Sequence, residues 1–114
     1  MRKKLLLALA PLVLFAATAA EARPARCVIV SAGSPTWRGP CDFLAERGGS
    51  FGVRPYRGRF AGGISDISVS LISPGVAEVR GLTPGGINSR WGEARRSRRD
   101  TACWIGEDFS ICVY

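Results

Sequence analysis

Two arginine-rich segments hold most of the side chains that could bind a charged partner. The first, residues 54–60, interleaves three arginines with Tyr56 and Phe60, and the second continues from Arg90-Trp91 through four further arginines. The candidate anion-binding residues are Arg54, Arg57, Arg59, Arg90, Arg95, Arg96, Arg98 and Arg99. A guanidinium pairs with two oxygens at once, and aromatic rings add stacking. These segments therefore predict binding of phosphate, an acidic glycan or an acidic protein surface.

The same segments are also typical of solvated loops. Runs of charge usually only solvate a surface, and in that interpretation Phe60 and Trp91 are packed in the core. Trp37 and Trp104 lie on cysteine-bearing segments, where we expect ordinary core packing beside a disulfide. Both interpretations stay open at the level of the sequence.

The residue types present do not favour catalysis. The chain contains no histidine, so the usual base for a serine or cysteine nucleophile is missing. The carboxylates Asp66, Glu78, Glu107 and Asp108 are not placed in pairs suited to general acid–base work. The cysteines lack zinc-knuckle spacing. We therefore expect no enzyme, no catalytic residue, no metal and no cofactor.

Nucleic-acid binding would use the same arginines, but the sequence lacks its motifs. No zinc-finger, RNA-recognition or homeodomain pattern is present. Gly48-Gly49 and Gly62-Gly63 are followed by neither a lysine nor a helix start, so we interpret them as turn glycines and not as phosphate loops. No nucleic-acid partner is expected.

Residues 1–22 have the organisation of a signal peptide. Three positive charges at positions 2–4 precede an apolar run over residues 5–17, and Ala20-Glu21-Ala22 matches the small-residue cleavage pattern. The apolar run is shorter than the about 20 residues of a spanning helix, which favours cleavage over a membrane anchor. We predict cleavage after Ala22, with Ala20 as the alternative. The protein is then periplasmic or secreted, with no membrane span after cleavage.

Cleavage at that point leaves residues 23–114, enough for one domain. The leader takes three positive charges and one negative charge with it, so the net charge falls from +7 to +5. Both lysines of the chain lie in the leader, and every remaining positive side chain is an arginine.

The remaining chain has the pattern of a small β protein. Glycine and proline recur every few residues, and short β-rich runs lie between them. The candidate strands are residues 27–31, 37–44, 50–54, 64–72, 76–82, 101–106 and 109–114. We predict an all-β fold, a small antiparallel meander or partly open barrel of about six to seven short strands. Residues 88–100 are left open between a short helix and an arginine-rich loop.

The strand over residues 64–72 is the clearest, because Ile67, Val69 and Leu71 alternate with polar residues. Pairing Ala77 with Leu71 and Val79 with Val69 buries all four side chains. That register needs a connection of odd length, for which five residues suit the central proline better than three.

The four cysteines all follow the leader, and an even count in an exported chain predicts disulfides. A two-residue loop at Glu107-Asp108 places Cys103 opposite Cys112 at a non-hydrogen-bonded pair, where Cα atoms approach to about 4.5 Å. We therefore predict a Cys103–Cys112 disulfide.

The same logic applies to the first two cysteines. It places Cys27 opposite Cys41 around an odd loop centred on Ser34. Pro35 cannot adopt positive φ, so that loop is wider than three residues. We predict a Cys27–Cys41 disulfide and neither crossed arrangement.

Three stretches of the sequence resemble a group of small exported proteins of Gram-negative bacteria. They are Gly39-Pro40-Cys41-Asp42-Phe43, Gly48-Gly49-Ser50-Phe51, and Ala102-Cys103-Trp104 through Ile111-Cys112. Proteins of that group carry a cysteine pair near each end and have no assigned function. The resemblance implies export and a disulfide-stapled fold, and it transfers no active-site residue.

The favoured function class is an exported, non-enzymatic binding module with an arginine-rich surface. Lipopolysaccharide, an acidic polysaccharide or an acidic envelope protein are partners compatible with that charge. One alternative is an inhibitor of a secreted or periplasmic hydrolase, with Glu107-Asp108 or the loop at Ser34-Pro35 as the inserted segment. A structural role in the envelope is the other alternative.

Overall fold

The computed structural model describes Pro11 and residues 22–114; the predicted signal peptide otherwise lies outside the described residues. The strands are β1 Arg23–Ser31, β2 Trp37–Ala45, β3 Phe51–Pro55, β4 Asp66–Ser73, β5 Val76–Leu82, β6 Asn88–Arg96, β7 Cys103–Ile105 and β8 Phe109–Val113. They follow one another in chain order around a closed antiparallel barrel, which the β1–β8 pairing completes. The all-β prediction is confirmed, and the barrel closes fully with eight strands.

Helical structure in the described part of the chain is limited to two three-residue 3₁₀ turns, Arg47–Gly49 and Ala61–Gly63. Gly48 and Gly62 have φ of 73° and 78° inside these turns, as expected of turn glycines. None of the helical segments described is long and apolar enough to cross a membrane.

The barrel interior is filled by every second residue of each strand. The largest fully buried side chains are Ile67, Ile111, Val53, Val69, Val79, Cys27 and Cys41. No polar or charged side chain is buried among the described residues. The predicted facing of β4 and β5 is confirmed, since Val69 lies opposite Val79 and Leu71 opposite Ala77. The predicted connection of odd length, with five residues favoured, is wrong. A bulge after Leu71 lets Ser73 pair with Val76, which leaves only Pro74 and Gly75 between the two strands.

Residues 88–100 form neither the helix nor the loop considered from the sequence, because most of them make up β6. The sequence did not predict this strand because only one of its residues, Ala94, is buried. The residues on either side of Ala94 are exposed and charged. Its alternation is also interrupted. The register against β5 shifts between Val79↔Gly92 and Arg80↔Arg90, which leaves Trp91 as the extra residue of a bulge.

The C-terminal hairpin has the predicted register. Cys103 lies opposite Cys112, and Trp104 lies opposite Ile111. The Gly106 N–H donates to the Phe109 carbonyl at 2.8 Å, which closes the loop at Glu107-Asp108. The Cys103–Cys112 disulfide is confirmed, with Cα atoms 4.0 Å apart.

The Cys27–Cys41 disulfide is also confirmed, but the predicted register around it is wrong. Cys27 lies opposite Gly39, so the disulfide runs diagonally across the ladder, with Cα atoms 5.8 Å apart. The loop is centred on Gly33 and not on Ser34. Gly33 has φ of 77° in a turn closed by the Ser34 N–H and the Ser31 carbonyl at 3.2 Å. A glycine adopts this backbone conformation at little energetic cost. The turn is therefore centred at Gly33, one residue before the predicted position.

The two disulfides lie on opposite faces of the barrel wall. Cys27 and Cys41 are 0% and 1% exposed and belong to the core cluster. Cys112 follows the fully buried Ile111, so the alternation of a strand places its side chain on the outer face. The Cys27–Cys41 disulfide therefore fills the interior. The Cys103–Cys112 disulfide joins β7 to β8 on the outer face, where its cysteines are also buried, at 6% and 8% exposure, but lie outside the core cluster.

We expect this difference to appear in stability. Each disulfide contributes about 2–3 kcal/mol through loop closure, and replacing the inner pair also opens a cavity. The double variant Cys27→Ala/Cys41→Ala should therefore lose at least about 1 kcal/mol more than Cys103→Ala/Cys112→Ala. Urea unfolding of both variants measures the difference. Equal losses, or a larger loss for the outer pair, would contradict this arrangement.

One end of the barrel is covered by aromatic rings packed over two glycines. We call this the aromatic end; its connections are residues 32–36, 56–65, 83–87 and 106–108. A Cβ at Gly81 would lie 2.8 Å from the Trp91 Nε1, and a Cβ at Gly106 would collide with the Phe109 ring. The Trp91 and Phe109 rings contact each other edge to face, with centroids 5.7 Å apart. Phe60, 2% exposed, packs edge to face against Trp37 at the same end, with centroids 4.7 Å apart.

Gly106 should therefore tolerate no side chain. We expect Gly106→Ala to destabilise the fold by about 1–3 kcal/mol, because the Phe109 ring must move. Gly52→Ala is the matched control, since a Cβ at Gly52 meets no atom closer than 3.6 Å. Its effect should stay within about 0.5 kcal/mol. Thermal unfolding of both variants measures the change in stability. An unchanged stability of Gly106→Ala would show that the Phe109 ring does not lie against Gly106.

Candidate functional site

The eight candidate arginines do not share one surface. Arg57 and Arg59 lie in the connection after β3, at the aromatic end. Arg96 ends β6 at the opposite end, and Arg98 and Arg99 follow in the connection to β7. The six residue steps from Arg90 to Arg96 correspond to about 20 Å of strand. We call this second end the arginine end; its connections are residues 46–50, 74–75 and 97–102.

Three of the candidates lie on the outer wall and form ion pairs. Arg54 pairs with Asp66, Arg90 with Glu78 at 3.1 Å, and Arg95 with Glu93 at 3.4 Å. Pairs this exposed contribute little to stability. Asp66 and Glu93 each balance the charge of one arginine. Glu78 is shared by Arg90 and by Arg80, which lies at 2.9 Å, so one positive charge of that group is not balanced.

The two candidates at the aromatic end are exposed. The Arg57 guanidinium lies 5.8 Å from the centroid of the neighbouring Tyr56 ring. Neither Arg57 nor Arg59 forms an ion pair with any residue that the structure describes. Residues 56–59 therefore form a solvated connection with Phe60 buried beneath it, whereas Arg54 lies in β3. This agrees with the solvated-loop interpretation for the part of the segment after β3.

At the arginine end the barrel opens into a cavity of ≈ 230 Å³, which we call the arginine mouth. Its lining residues are Arg23, Phe43, Gly49, Phe51, Arg96, Thr101, Ala102, Trp104, Val113 and Tyr114. Three rings form a row across it: the centroids of Phe43 and Phe51 are 5.1 Å apart, and those of Phe51 and Trp104 are 6.5 Å apart.

A guanidinium lies over each end of this row. The Arg23 Cζ is 4.8 Å from the Phe43 centroid, and the Arg96 Cζ is 5.8 Å from the Trp104 centroid. Contacts of this kind are worth about 0.5–1 kcal/mol when exposed. They also limit the orientations of two flexible side chains, so each guanidinium is held near the cavity before any ligand arrives.

The strand ends place both arginines at the mouth. Arg23 is the first residue of β1 and lies opposite Phe43, and Arg96 is the last residue of β6 and lies opposite Trp104. The alternation that buries Ala94 also directs Arg96 to the inner face. The Arg96 Nε donates a hydrogen bond to the Thr101 carbonyl at 2.8 Å. This contact leaves the terminal amino groups of the guanidinium for a ligand.

The connection 97–102, which carries Arg98 and Arg99, is held by Asp100. The Asp100 carboxylate accepts hydrogen bonds from the Ala102 N–H at 3.1 Å and from the Tyr114 hydroxyl at 2.5 Å. The hydrogen bond to Asp100 raises the pKa of the Tyr114 hydroxyl above its ordinary value, with smaller contributions from burial and from the carboxylate charge. Asp100 is therefore engaged within the protein, while Arg98 and Arg99 are exposed.

Charge distinguishes the mouth from the other two cavities of the described structure. No aspartate or glutamate lines it. The larger cavity at the aromatic end, ≈ 330 Å³, contains Asp108 and the ion-paired Arg90. The groove on the outer wall, ≈ 310 Å³, contains Glu46 and Asp66. Size alone favours the other two, but a carboxylate in the lining repels an anion, so we take the mouth as the candidate site.

Sequence reasoning missed Arg23, which lies outside both arginine-rich segments. The sequence did contain a signal for Arg23. Residues two apart in a strand share a face, so a strand extended back from Cys27 through Ala25 places Arg23 on the same face as Cys27. The segments considered for an inhibitory loop, Ser34-Pro35 and Glu107-Asp108, both lie at the aromatic end and not at the mouth. No group of three or more His, Cys, Asp or Glu side chains in the described residues could hold a metal ion.

Comparison with known proteins found no matching family model, curated protein or solved structure. The candidate site therefore stands on its geometry and charge alone. The resemblance to exported proteins of Gram-negative bacteria stays a prediction.

The Tyr114–Asp100 contact gives a pH dependence with a definite sign. Because the folded pKa is raised, the contribution to stability is fully present below the unfolded value of about 10 and is lost as the pH rises through the folded value. Asp100→Asn should lower the pKa of Tyr114 towards its ordinary value. An NMR titration of the Tyr114 ring signals measures this, with Asp42→Asn as the control. An unchanged Tyr114 titration in Asp100→Asn would show that the contact is not formed.

Proposed function

We propose that this protein is an exported, non-enzymatic binding module that holds an anionic ligand at the arginine mouth. The observation that carries the proposal is the pair of guanidiniums, from Arg23 and Arg96, over a row of aromatic rings in a cavity whose lining includes no aspartate or glutamate side chain. The partners considered from the sequence, an anionic envelope glycolipid, glycan or protein, all present such anions.

Export is supported by the leader pattern and by the two disulfides. A leader of this composition directs a chain across a membrane. Disulfides persist in oxidising compartments, and all four cysteines after the leader are paired. The binding site of the proposal would then face the periplasm or the medium.

Pre-orientation is the physical reason for preferring the mouth to the exposed connection 54–60. An arginine in a mobile loop must lose side-chain freedom when it binds. Stacking restricts Arg23 and Arg96, although Arg57 stacks on Tyr56 in the same way. The difference is that the Arg96 side chain is also held by its Nε–H hydrogen bond to the Thr101 carbonyl, at the edge of a cavity. A guanidinium presents a planar pair of donors to a carboxylate, sulfate or phosphate. Arg98 and Arg99, exposed beside the cavity, add attraction at longer range.

Salt-dependent retention on immobilised heparin tests the proposal. We expect Arg23→Gln/Arg96→Gln to elute at clearly lower salt than the unmodified protein, over a gradient from about 50 to about 500 mM, because screening weakens such contacts. The matched control is Arg57→Gln/Arg59→Gln, which removes the same charge from the aromatic end. The control should lose less retention.

The conservative variant Arg96→Lys adds a second readout. It keeps the charge but loses the planar fork, so its retention should fall between those of the unmodified protein and of Arg96→Gln. If the mouth variant and the aromatic-end control elute together, net charge alone governs retention and the proposal is wrong.

A further inference from the structure

The arginine mouth is small for a ligand pocket. Its volume is ≈ 230 Å³, below the roughly 300–1,000 Å³ that such pockets usually have. Its floor is apolar, because Phe51 and Trp104 are 6% and 5% exposed and Val113 adds an aliphatic side chain at the rim. A site of this size holds one ring or one short chain and not a large ligand.

We infer that the arginine mouth takes an oxyanion joined to a single aromatic ring or a short apolar chain. The inference rests on the anion binding proposed above and names the class of ligand that the site prefers. The apolar part lies against the row formed by Phe43, Phe51 and Trp104, and the oxyanion meets the free amino groups of Arg96 and the guanidinium of Arg23.

The arrangement of polar groups favours such a ligand over a bare anion. A small inorganic anion gains only charge pairing with two exposed guanidiniums, which water screens. A ring attached to the anion additionally removes apolar surface from water and contacts other rings. The aromatic floor is of no use to an anion that lacks an apolar part.

The arrangement also disfavours an extended polyanion as the preferred ligand. A regular chain of charges is bound along a track of cations. Asp66, Glu78 and Glu93 interrupt such a track on the outer wall of β4 to β6. Arg26 and Arg38, exposed on β1 and β2, form no ion pair with a described residue and would continue it there. The rings inside the cavity add nothing to binding along that track. A polyanion would therefore contact the rim and leave the floor of the mouth empty.

Calorimetric titration of the mature, oxidised protein with phenyl phosphate and with inorganic phosphate tests the inference at one salt concentration. Phenyl phosphate should bind at least about tenfold more tightly, equivalent to about 1.4 kcal/mol. Equal affinity of the two probes would overturn the inference without any variant being needed.

Two variants that fill the mouth without removing a charge locate the preference. Ala102→Phe and Val113→Phe each place a ring in the cavity, and each should lose the preference for phenyl phosphate over inorganic phosphate. Far-UV circular dichroism confirms that each is folded. If a folded, filled variant keeps the tenfold preference, the ring of the ligand does not occupy the mouth and the inference is wrong.

The same measurements separate this inference from the proposed function. Retention on heparin that depends on Arg23 and Arg96, combined with equal affinity for the two phosphates, overturns only the ligand class. Retention that is indifferent to both arginines overturns the anion site itself and the inference with it.

Discussion

The pairing of β1 with β8 is the interaction on which the rest of this structure depends. Neighbouring strands lie about 4.8 Å apart, so in an open sheet β1 and β6 would be separated by five such spacings. Closure reduces the separation to three spacings on the other side, through β7 and β8. Arg23 at the start of β1 and Arg96 at the end of β6 thereby reach the rim of one cavity.

The two disulfides reinforce the strands on either side of this seam. Cys27–Cys41 ties β1 to β2, and Cys103–Cys112 ties β7 to β8. A barrel of this size has a thin core, for which covalent links compensate. Closure also removes free sheet edges, which otherwise invite pairing with other chains. The result is a rigid wall with different chemistry at its two ends, aromatic rings over glycines at one and arginines over aromatic rings at the other.

Some of this could be predicted from the sequence. The β7–β8 register followed from a two-residue loop and a cysteine pair, and the β4–β5 register followed from alternating apolar residues, because both depend on local rules. The β1–β2 register was wrong by one residue at the turn, since Gly33 and not Ser34 takes the central position. β6 was missed because its inward residues, Gly92 and Ala94, give no apolar alternation, and Trp91 interrupts the period. The candidate site was harder to predict, because the two arginine-rich segments were expected to form one surface. The barrel instead separates residues 54–60 from residues 95–99 and brings Arg96 close to Arg23.

Chemical-shift mapping of the isotopically labelled, oxidised protein is the most direct test of the arginine mouth. A short heparin fragment is titrated at low salt while the backbone amide signals and the arginine Nε–H signals are followed. We expect the shifts to be concentrated at Arg23, Phe43, Arg96 and residues 97–102. Shifts concentrated in residues 54–60, with the Arg96 Nε–H signal unmoved, would contradict it.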